Sequence, residues 1–406
     1  MSPTRPSLRS NARVAAALLA ATAVWLPCLG LIFRPNLSDY RAPSGVSVQA
    51  RRLAERQTQL WTHPDLRRAG AARMRQSNAE WDFMHRTFTV LAFANIALRS
   101  PAETGHCLNL MDRVIADTIA TEKGEGQYHF LMDYARSGSF KAQPARSLFE
   151  DGEIALMLAA RLAIASNTAW QTELRARTST LVAQMRQSPV LCGESYPNEC
   201  WTFCNTVALA ALAMSDAVEG TDHRDFIRTW LDTAKKRLVH PATGLLVSSF
   251  AFDGTWFDGP EGSSIWMSAH CLDVVDPVFA ADQYRRAKAE LGRSLLGFGY
   301  AREWPATWAG AMDVDSGPVI PPLGISAGSS GMAFIGAAGF NDDTYLRDLL
   351  TSLRFGGFPI REGNTLRFAA SNEVGDAVLL YAMVMGPLWD DIHRRQAERA
   401  HAGGRS

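Results

Sequence analysis

Apolar residues recur along this chain at the three- and four-residue spacing of a helix face, and runs with the two-residue period of a strand are few. The pattern predicts helices over 47–60, 79–98, 107–121, 150–166, 168–187, 201–218, 222–238, 280–297, 342–353 and 374–386. Stop signals mark several ends: Gly220 with Thr221 as the next cap, Pro241 after Leu238, and Asn341 ahead of the acidic Asp342 and Asp343. In the helix from Glu150, Ile154, Leu158 and Leu162 repeat at four-residue spacing with Met157 beside them, and the opposite face carries little charge. Such a helix is buried on two sides.

Between the helices lie loops rich in Gly, Trp and acidic residues, at 123–149, 188–200, 243–265, 299–330 and 355–373. Loops of that length in a compact domain are functional or disordered, and their aromatic content argues against disorder. The segments 244–256 and 356–369 each predict a short β-hairpin. The expected fold is all-α, an α/α-toroid of helical hairpins over residues 46–390 with small β-hairpins in its rim loops and a polar tail over 391–406. Long loops at one end would form a cleft.

The N-terminal segment is a separate object. Arg5, Arg9 and Arg13 precede an uncharged, mostly apolar run from Val14 to Phe33, long enough to cross a bilayer. A cleaved signal peptide has a shorter apolar region and a small-residue cleavage site. The reading is therefore a cytoplasmic segment over 1–13 and a transmembrane signal anchor over 14–33. Positive charge is heavier before the span than after it, at Arg34 and Arg41, which puts the body on the extracytoplasmic, periplasmic side.

Charge narrows the partners. Lys plus Arg and Asp plus Glu balance at 41 each, so no global field draws nucleic acid to the surface. Nine histidines show no metal-ligand spacing, and the glycine-rich 324–339 lacks the lysine of a phosphate loop. No metal or other cofactor is implied.

Two stretches carry chemistry. In LCGESYPNECWTFCNT (191–206), three of the six cysteines fall within thirteen residues, among Glu194, Tyr196, Glu199 and Trp201. A helix starting near Trp201 would set Cys200 and Cys204 on one face, near a helix N-terminus that favours thiolate. The plain alternative is that these thiols pack as small apolar groups. A disulfide among Cys192, Cys200 and Cys204 stays open. The second stretch is acidic: Asp258, Glu261, Asp313 and Asp315 lie in Gly/Pro-rich loops beside Trp256, Trp266, Trp304 and Trp308. Carboxylate pairs flanked by indoles suit a sugar-cleaving cleft, whereas turn aspartates also simply bond their own backbone.

The order of elements resembles the linalool dehydratase-isomerase family over roughly 78–390. The resemblance is carried by CNTVALAALAMSDAVEGTDHRDFIRTWLDTAKKRLVHPATGLLVSSF (204–250), with ANIALRSP (94–101), WMSAHCLDVVDPVFA (266–280) and LRFAASNEVGDAVLLYAM (366–383). It implies an α/α-toroid, a small hydrophobic substrate, addition or removal of water and hydroxyl shifts on allylic terpene alcohols, and homo-oligomeric rings. Residue by residue, the family's thiol before Asn-Ser/Thr matches Cys204, followed by Asn205 and Thr206. Its other loop cysteine falls on Ser195, with Cys192 three residues away, and its catalytic histidine falls on Glu153 after Gly152. Asp82 in EWDFMHRTF stands for the family's aspartate, with Thr87 or Phe88 where a tyrosine is wanted.

The candidate catalytic groups are thus Cys204, Glu153, Cys192 and Asp82, with Asp313 and Asp315 as further carboxylates. Tyr196, Trp201, Trp256, Glu261, Trp266 and His270 are the candidate substrate contacts. A carboxyl in place of histidine works as an acid near neutrality only if burial raises its pKa; otherwise Glu153 is a first-turn helix acid. The leading expectation is a lyase or isomerase on a hydrophobic alcohol. The alternatives are a carbohydrate-active enzyme using Asp313, Asp315 and Glu261, and a noncatalytic binding protein. An enclosed apolar chamber favours the first, an open carboxylate groove the second.

Overall fold

A computed structural model describes residues 8–310, 312, 316–321 and 323–403. Its helices are α1 (Leu8–Phe33), α2 (Val48–Thr62), α3 (Pro64–Ser77), α4 (Ala79–Arg99) and α5 (Thr104–Glu125). There follow α6 (Leu148–Ile164), α7 (Thr168–Met185), α8 (Thr202–Glu219), α9 (Arg224–Arg237) and α10 (Gly262–Leu272). The remainder are α11 (Pro277–Glu290), α12 (Ala327–Gly339), α13 (Asp343–Gly356), α14 (Glu373–Val384) and α15 (Pro387–Gly403).

Helices α4, α6, α8, α10, α12 and α14 each pack on the next, and α14 returns to α4, so they close a ring. Helices α5, α7, α11 and α13 stand outside their preceding partners, and α2 covers α14. This is the α/α-toroid. The sequence sorts the two layers by how much of each helix is apolar. Residues 148–163 of α6 and 202–217 of α8 are all buried, since both faces are covered. The outer α13 buries only a stripe, Tyr345, Leu346, Leu349 and Leu350 among its members, and turns charge outward. Because each inner helix is followed by a returning helix or loop, all six inner helices run the same way, with N-termini at one end.

The opposite end is shut by α15, which packs on α4, α6 and α8. Trp389 stacks on His270 at 4.4 Å, Ile392 is fully buried, and the Arg395 guanidinium donates to the Ala163 carbonyl at 3.0 Å. The expected polar tail is therefore helical to residue 403, with its solvated face only on the outside. The seam of the ring is tied by Arg99, which donates to the Val384 and Met385 carbonyls, and by the Asn95 carboxamide oxygen, which accepts from the Leu388 N–H at 3.1 Å.

Short strands lead into the inner helices at the open end. β1 (Cys200–Trp201) precedes α8 and pairs with β2 (Ser249–Phe250). β3 (Gly292–Leu295), β4 (Phe298–Ala301), β5 (Val319–Ile320) and β6 (Ile325–Ser326) form one sheet in the order β3-β4-β6-β5, and β6 opens α12. β7 (Pro359–Glu362) and β8 (Thr365–Phe368) form the hairpin expected within 356–369. The segment 244–256 contributes β2, whose main partner is β1 rather than its own return strand.

Some expectations shift. The helix expected over 280–297 ends at Glu290, because Gly292 onward pairs as β3 and turns through Leu296 and Gly297 at positive φ. The end of the loop expected over 299–330 is already helical, since α12 begins at Ala327 and takes up most of the glycine-rich 324–339; its small residues admit close neighbours, and a Cβ on Gly336 would meet the Trp266 ring at 2.8 Å. Helix α1 is long and apolar enough over Asn11–Phe33 to cross a membrane, and it touches the body only through its last turns. There Gly30 sits against the Leu296 carbonyl and Phe33 meets Phe355 edge-on at 5.2 Å.

Candidate functional site

The N-terminal ends of the six inner helices surround a chamber of about 550 Å³. Its walls are mainly apolar, with Met84, Phe149, Phe203, Met332 and Val378 joined by the indoles of Trp81 and Trp201. Polar groups are few: Asn78, Glu80, Ser263 and Ser264 are among them, and Ser316, Gly317 and Pro318 line one side from the long loop. That size and balance suit a small organic ligand. The six helix N-termini that border the chamber favour negative charge at its wall, where Glu80 stands, and that field fades within the first turn.

Beneath this lining sits a polar cluster. Glu80 lies on the wall; Glu153 follows Phe149 by four residues on α6, and Thr87 follows Met84 by three on α4, one turn deeper on the same faces. The Thr87 hydroxyl donates to Glu153 Oε2. Burial drives the Glu153 carboxyl up to about 8; the Thr87 bond opposes this, and the charge of Glu80 adds to it. Glu153 is therefore mostly protonated at neutral pH.

The Tyr196 hydroxyl donates to Glu80 Oε1 and accepts from the Met132 N–H at 3.1 Å, while its ring stacks on Tyr134 at 4.5 Å. Burial and then the nearby Glu80 push the Tyr196 phenol far above its ordinary value, so it stays a neutral donor. Sequence reasoning missed Glu80 because it reads as a first-turn acid after a cap, and the Asn78 side chain does accept from the Glu80 N–H at 2.8 Å. The signal that finds it is the spacing of Glu80, Met84 and Thr87 along one face of an apolar helix.

Cys204 lies on α8 beside this cluster. Burial pushes its thiol well above the usual range; the Ser195 hydroxyl bonded to it pulls the other way, and Glu80 and Glu153 push further up. The helix dipole does not win: desolvation of a thiolate outweighs it. Asn205, the next residue, explains how Ser195 is delivered. Its carboxamide accepts from the Gly193 N–H at 2.9 Å and donates to the Gly193 carbonyl at 3.1 Å, clamping the loop two residues before Ser195. The Glu194 carboxylate fixes the same loop by accepting from the N–H groups of Lys141, Ala142 and Asn198. Cys200 belongs to β1, not to α8, so it shares no helical face with Cys204. All six cysteines are free thiols.

The other expected residues are scattered. Asp82 turns outward, bonded to Arg67 at 2.8 Å and facing Arg86; burial alone would raise its carboxyl, but the two guanidiniums hold it near 2. It is an ionised structural group, outside the chamber lining. Cys192 is buried against the Val190 carbonyl and Trp230, and burial lifts its thiol to about 12. Trp201 lines the chamber and donates to Glu199 at 2.6 Å. Trp256 donates to the Arg237 carbonyl at 3.0 Å behind β2, and Trp266 donates to Ser329 at 3.1 Å inside the wall; neither lines the chamber. Glu261 is buried at the start of α10, where the Glu303 carboxylate, not Glu261, accepts from the Ser263 N–H at 2.8 Å. His270 is at the shut end, bonded to Tyr381 at 2.6 Å, and burial lowers it to about 4. Asp313 and Asp315 lie outside the described residues.

The family described as linalool dehydratase/isomerase matches residues 147–352, which include Glu153, Ser195, Tyr196 and Cys204. Among solved structures, the chain is similar to a GH76 alpha-mannanase of Bacteroides thetaiotaomicron, at 13% identity and a TM-score of 0.48, covering 77% of this chain and 87% of that one. It is also similar to a D-mannose isomerase, at 11% identity and a TM-score of 0.46, covering 96% of this chain and 100% of the other.

Proposed function

The chain belongs to the linalool dehydratase/isomerase family, and from that membership we propose that it is a carbon–oxygen lyase or isomerase acting on a small hydrophobic alcohol of the allylic terpenoid kind. The observation that carries this reading is a buried carboxyl group, Glu153, hydrogen-bonded by Thr87 one helical turn beneath an apolar, indole-bearing chamber wall, where burial favours its protonated form. A neutral acid under a mainly apolar wall suits the loss of an allylic hydroxyl.

In the proposed step Glu153 gives its proton to the substrate oxygen, the C–O bond breaks, and water leaves. Glu80, held by Tyr196, takes the proton from the neighbouring carbon, whose C–H pair becomes the new double bond. The net transfer from Glu153 to Glu80 is undone by a return through the Cys204 thiol, which is electrostatically coupled to both carboxyls. Because that thiol is kept neutral, Cys204 acts here as a proton carrier and not as a thiolate nucleophile. The faces of Trp81 and Trp201 offset the positive charge that builds on the allyl group. Readdition of water at the far end of the allyl unit gives the isomer.

Helix α1 is read with this as a signal anchor that holds the toroid on the extracytoplasmic surface. The test is turnover of a panel of linear allylic terpene alcohols beside oligosaccharides by the membrane-inserted full chain. Water loss or isomerisation abolished by Glu153→Gln supports the reading, and sugar release that survives Glu153→Gln and Glu80→Gln overturns it.

A further inference from the structure

Where α1 meets the body, the body is apolar. Leu295 and Leu296 at the β3–β4 turn are 44% and 47% exposed, Phe355 at the end of α13 is 47% exposed, and Phe358 ahead of β7 is 65% exposed. Two of these positions are tied to α1, since Phe355 packs edge-on against both Phe33 of α1 and Phe298 of β4, at 5.2 and 5.4 Å, and Gly30 abuts Leu296; Leu295 precedes Leu296, and Phe358 follows Phe355 by three residues. Four large apolar side chains exposed together need a covering partner.

Depth along α1 identifies the partner. The helix is exposed as far as Trp25, and contact with the body shields most of Leu26–Phe33, though Leu31 and Ile32 remain open. That overlap is about 12 Å of helix at 1.5 Å per residue. The apolar span Asn11–Phe33 is about 35 Å long against a hydrocarbon core of about 30 Å. Centring the span leaves only a few ångströms outside at each end, so most of the overlap with the body falls within the slab. The flank's border carries cations, with Arg34 following Phe33, Arg354 preceding Phe355, and Arg361 in β7. Of the acids on this side, Asp348 is bonded by the Ser294 hydroxyl at 2.5 Å and Glu362 faces Arg367 at 3.6 Å, while Asp39 lies near Tyr40 with Arg354 and Arg361. Apolar tips rimmed by arginine fit the acyl and headgroup layers of a bilayer.

We infer that Leu295, Leu296, Phe355 and Phe358 are immersed in the same leaflet as the end of α1, so that the toroid lies against the lipid with its chamber rim at the membrane surface. This rests on the reading of α1 as a membrane-spanning helix. The link to the chamber is direct: the Phe358 and Gly357 carbonyls accept from the N–H groups of Ala369 and Ala370 at 3.1 and 3.2 Å, and both alanines line the chamber. This part of the chamber wall is thus one backbone hydrogen bond from the segment that carries Phe358. The substrate class that fits is a lipid-dissolved alcohol that enters from the leaflet without crossing bulk water.

The experiment uses the full chain in phosphatidylcholine vesicles, with Cys28→Ser as background because Cys28 is the one half-buried thiol and the other five are buried. Single cysteines replace Leu18, Leu296, Phe358 or Val278, each carrying an environment-sensitive fluorophore, and spin-labelled lipid is the quencher. Val278 is 82% exposed at the start of α11, toward the shut end. The expected result is quenching at Leu18, Leu296 and Phe358 to comparable extents, and none at Val278. Quenching at Leu18 with Leu296 and Phe358 behaving like Val278 overturns the inference while leaving the anchor. A blue-shifted but unquenched signal at Leu296 and Phe358 means that a second copy covers the flank, which also overturns it. No quenching at Leu18 removes the anchor itself, and the inference with it.

Discussion

Glu153 and its donor Thr87 make the most exposed claims. If the protonated carboxyl is the acid, kcat/KM on an allylic alcohol falls tenfold per unit above about pH 8, with a separate acid limb where the base Glu80 takes up a proton, and Glu153→Gln lowers it by ~10²–10⁴. Thr87→Val removes a bond that favours the charged form, so the alkaline limb should move to higher pH, which a pH profile would read. The same group makes stability pH-dependent. Its folded pKa is raised from 4.5 to about 8, so the folded state is favoured most below 4.5 and loses that advantage as pH rises to 8. Glu153→Gln should therefore raise Tm more at pH 8 than at pH 5, and an equal change at both would show that burial does not perturb the carboxyl. Cys204→Ser, keeping a neutral proton carrier, should retain more turnover than Cys204→Ala. The sequence pointed to Cys204 through the cysteine-rich stretch 191–206 and the family's thiol before Asn-Ser/Thr, and to Glu153 only through the family resemblance, where it stands in place of a histidine. They could not separate Asp82 from Glu80, since two residues on one helical turn differ only in direction: one meets Arg67 and Arg86, the other the chamber.

Among the elements, most of the long helices were legible because each carries its own periodicity, while α3, the short inner α10 and α15 were not expected as helices. Helix α12 was not, since its glycines read as loop until Trp266 is seen to need the space beside Gly336. Gly336→Ala should cost about 1–3 kcal/mol in denaturant unfolding, the usual range for overpacking a core. The β3–β4 hairpin was hidden for a different reason: its strands follow a helix whose periodicity runs on into them, and only the positive φ at Leu296 and Gly297 marks the turn. Loop 191–199 was legible as reactive by composition, yet its purpose depends on Asn205. Asn205→Ala should release Gly193, shift Ser195 away from Cys204, and lower kcat more than it lowers Tm, which parallel kinetics and melting curves would separate.

For the whole molecule, repeated helical hairpins made a toroid readable, while the end that is open and the end that is shut follow from α15, whose charged sequence looks like a tail. If the rim faces lipid, initial rates in vesicles should follow the mole fraction of alcohol in the bilayer and not its bulk concentration, so adding inert lipid at fixed substrate should slow turnover. The seam has a consequence for synthesis. Helix α4 ends at Arg99, but the carbonyls that Arg99 binds belong to Val384 and Met385. At ribosomal rates of about 5–20 residues per second, the first inner helix waits on the order of tens of seconds for its last neighbour. Throughout that wait, a nascent arc of buried-type side chains stands open, and the circle can close only once Val384 and Met385 have been made.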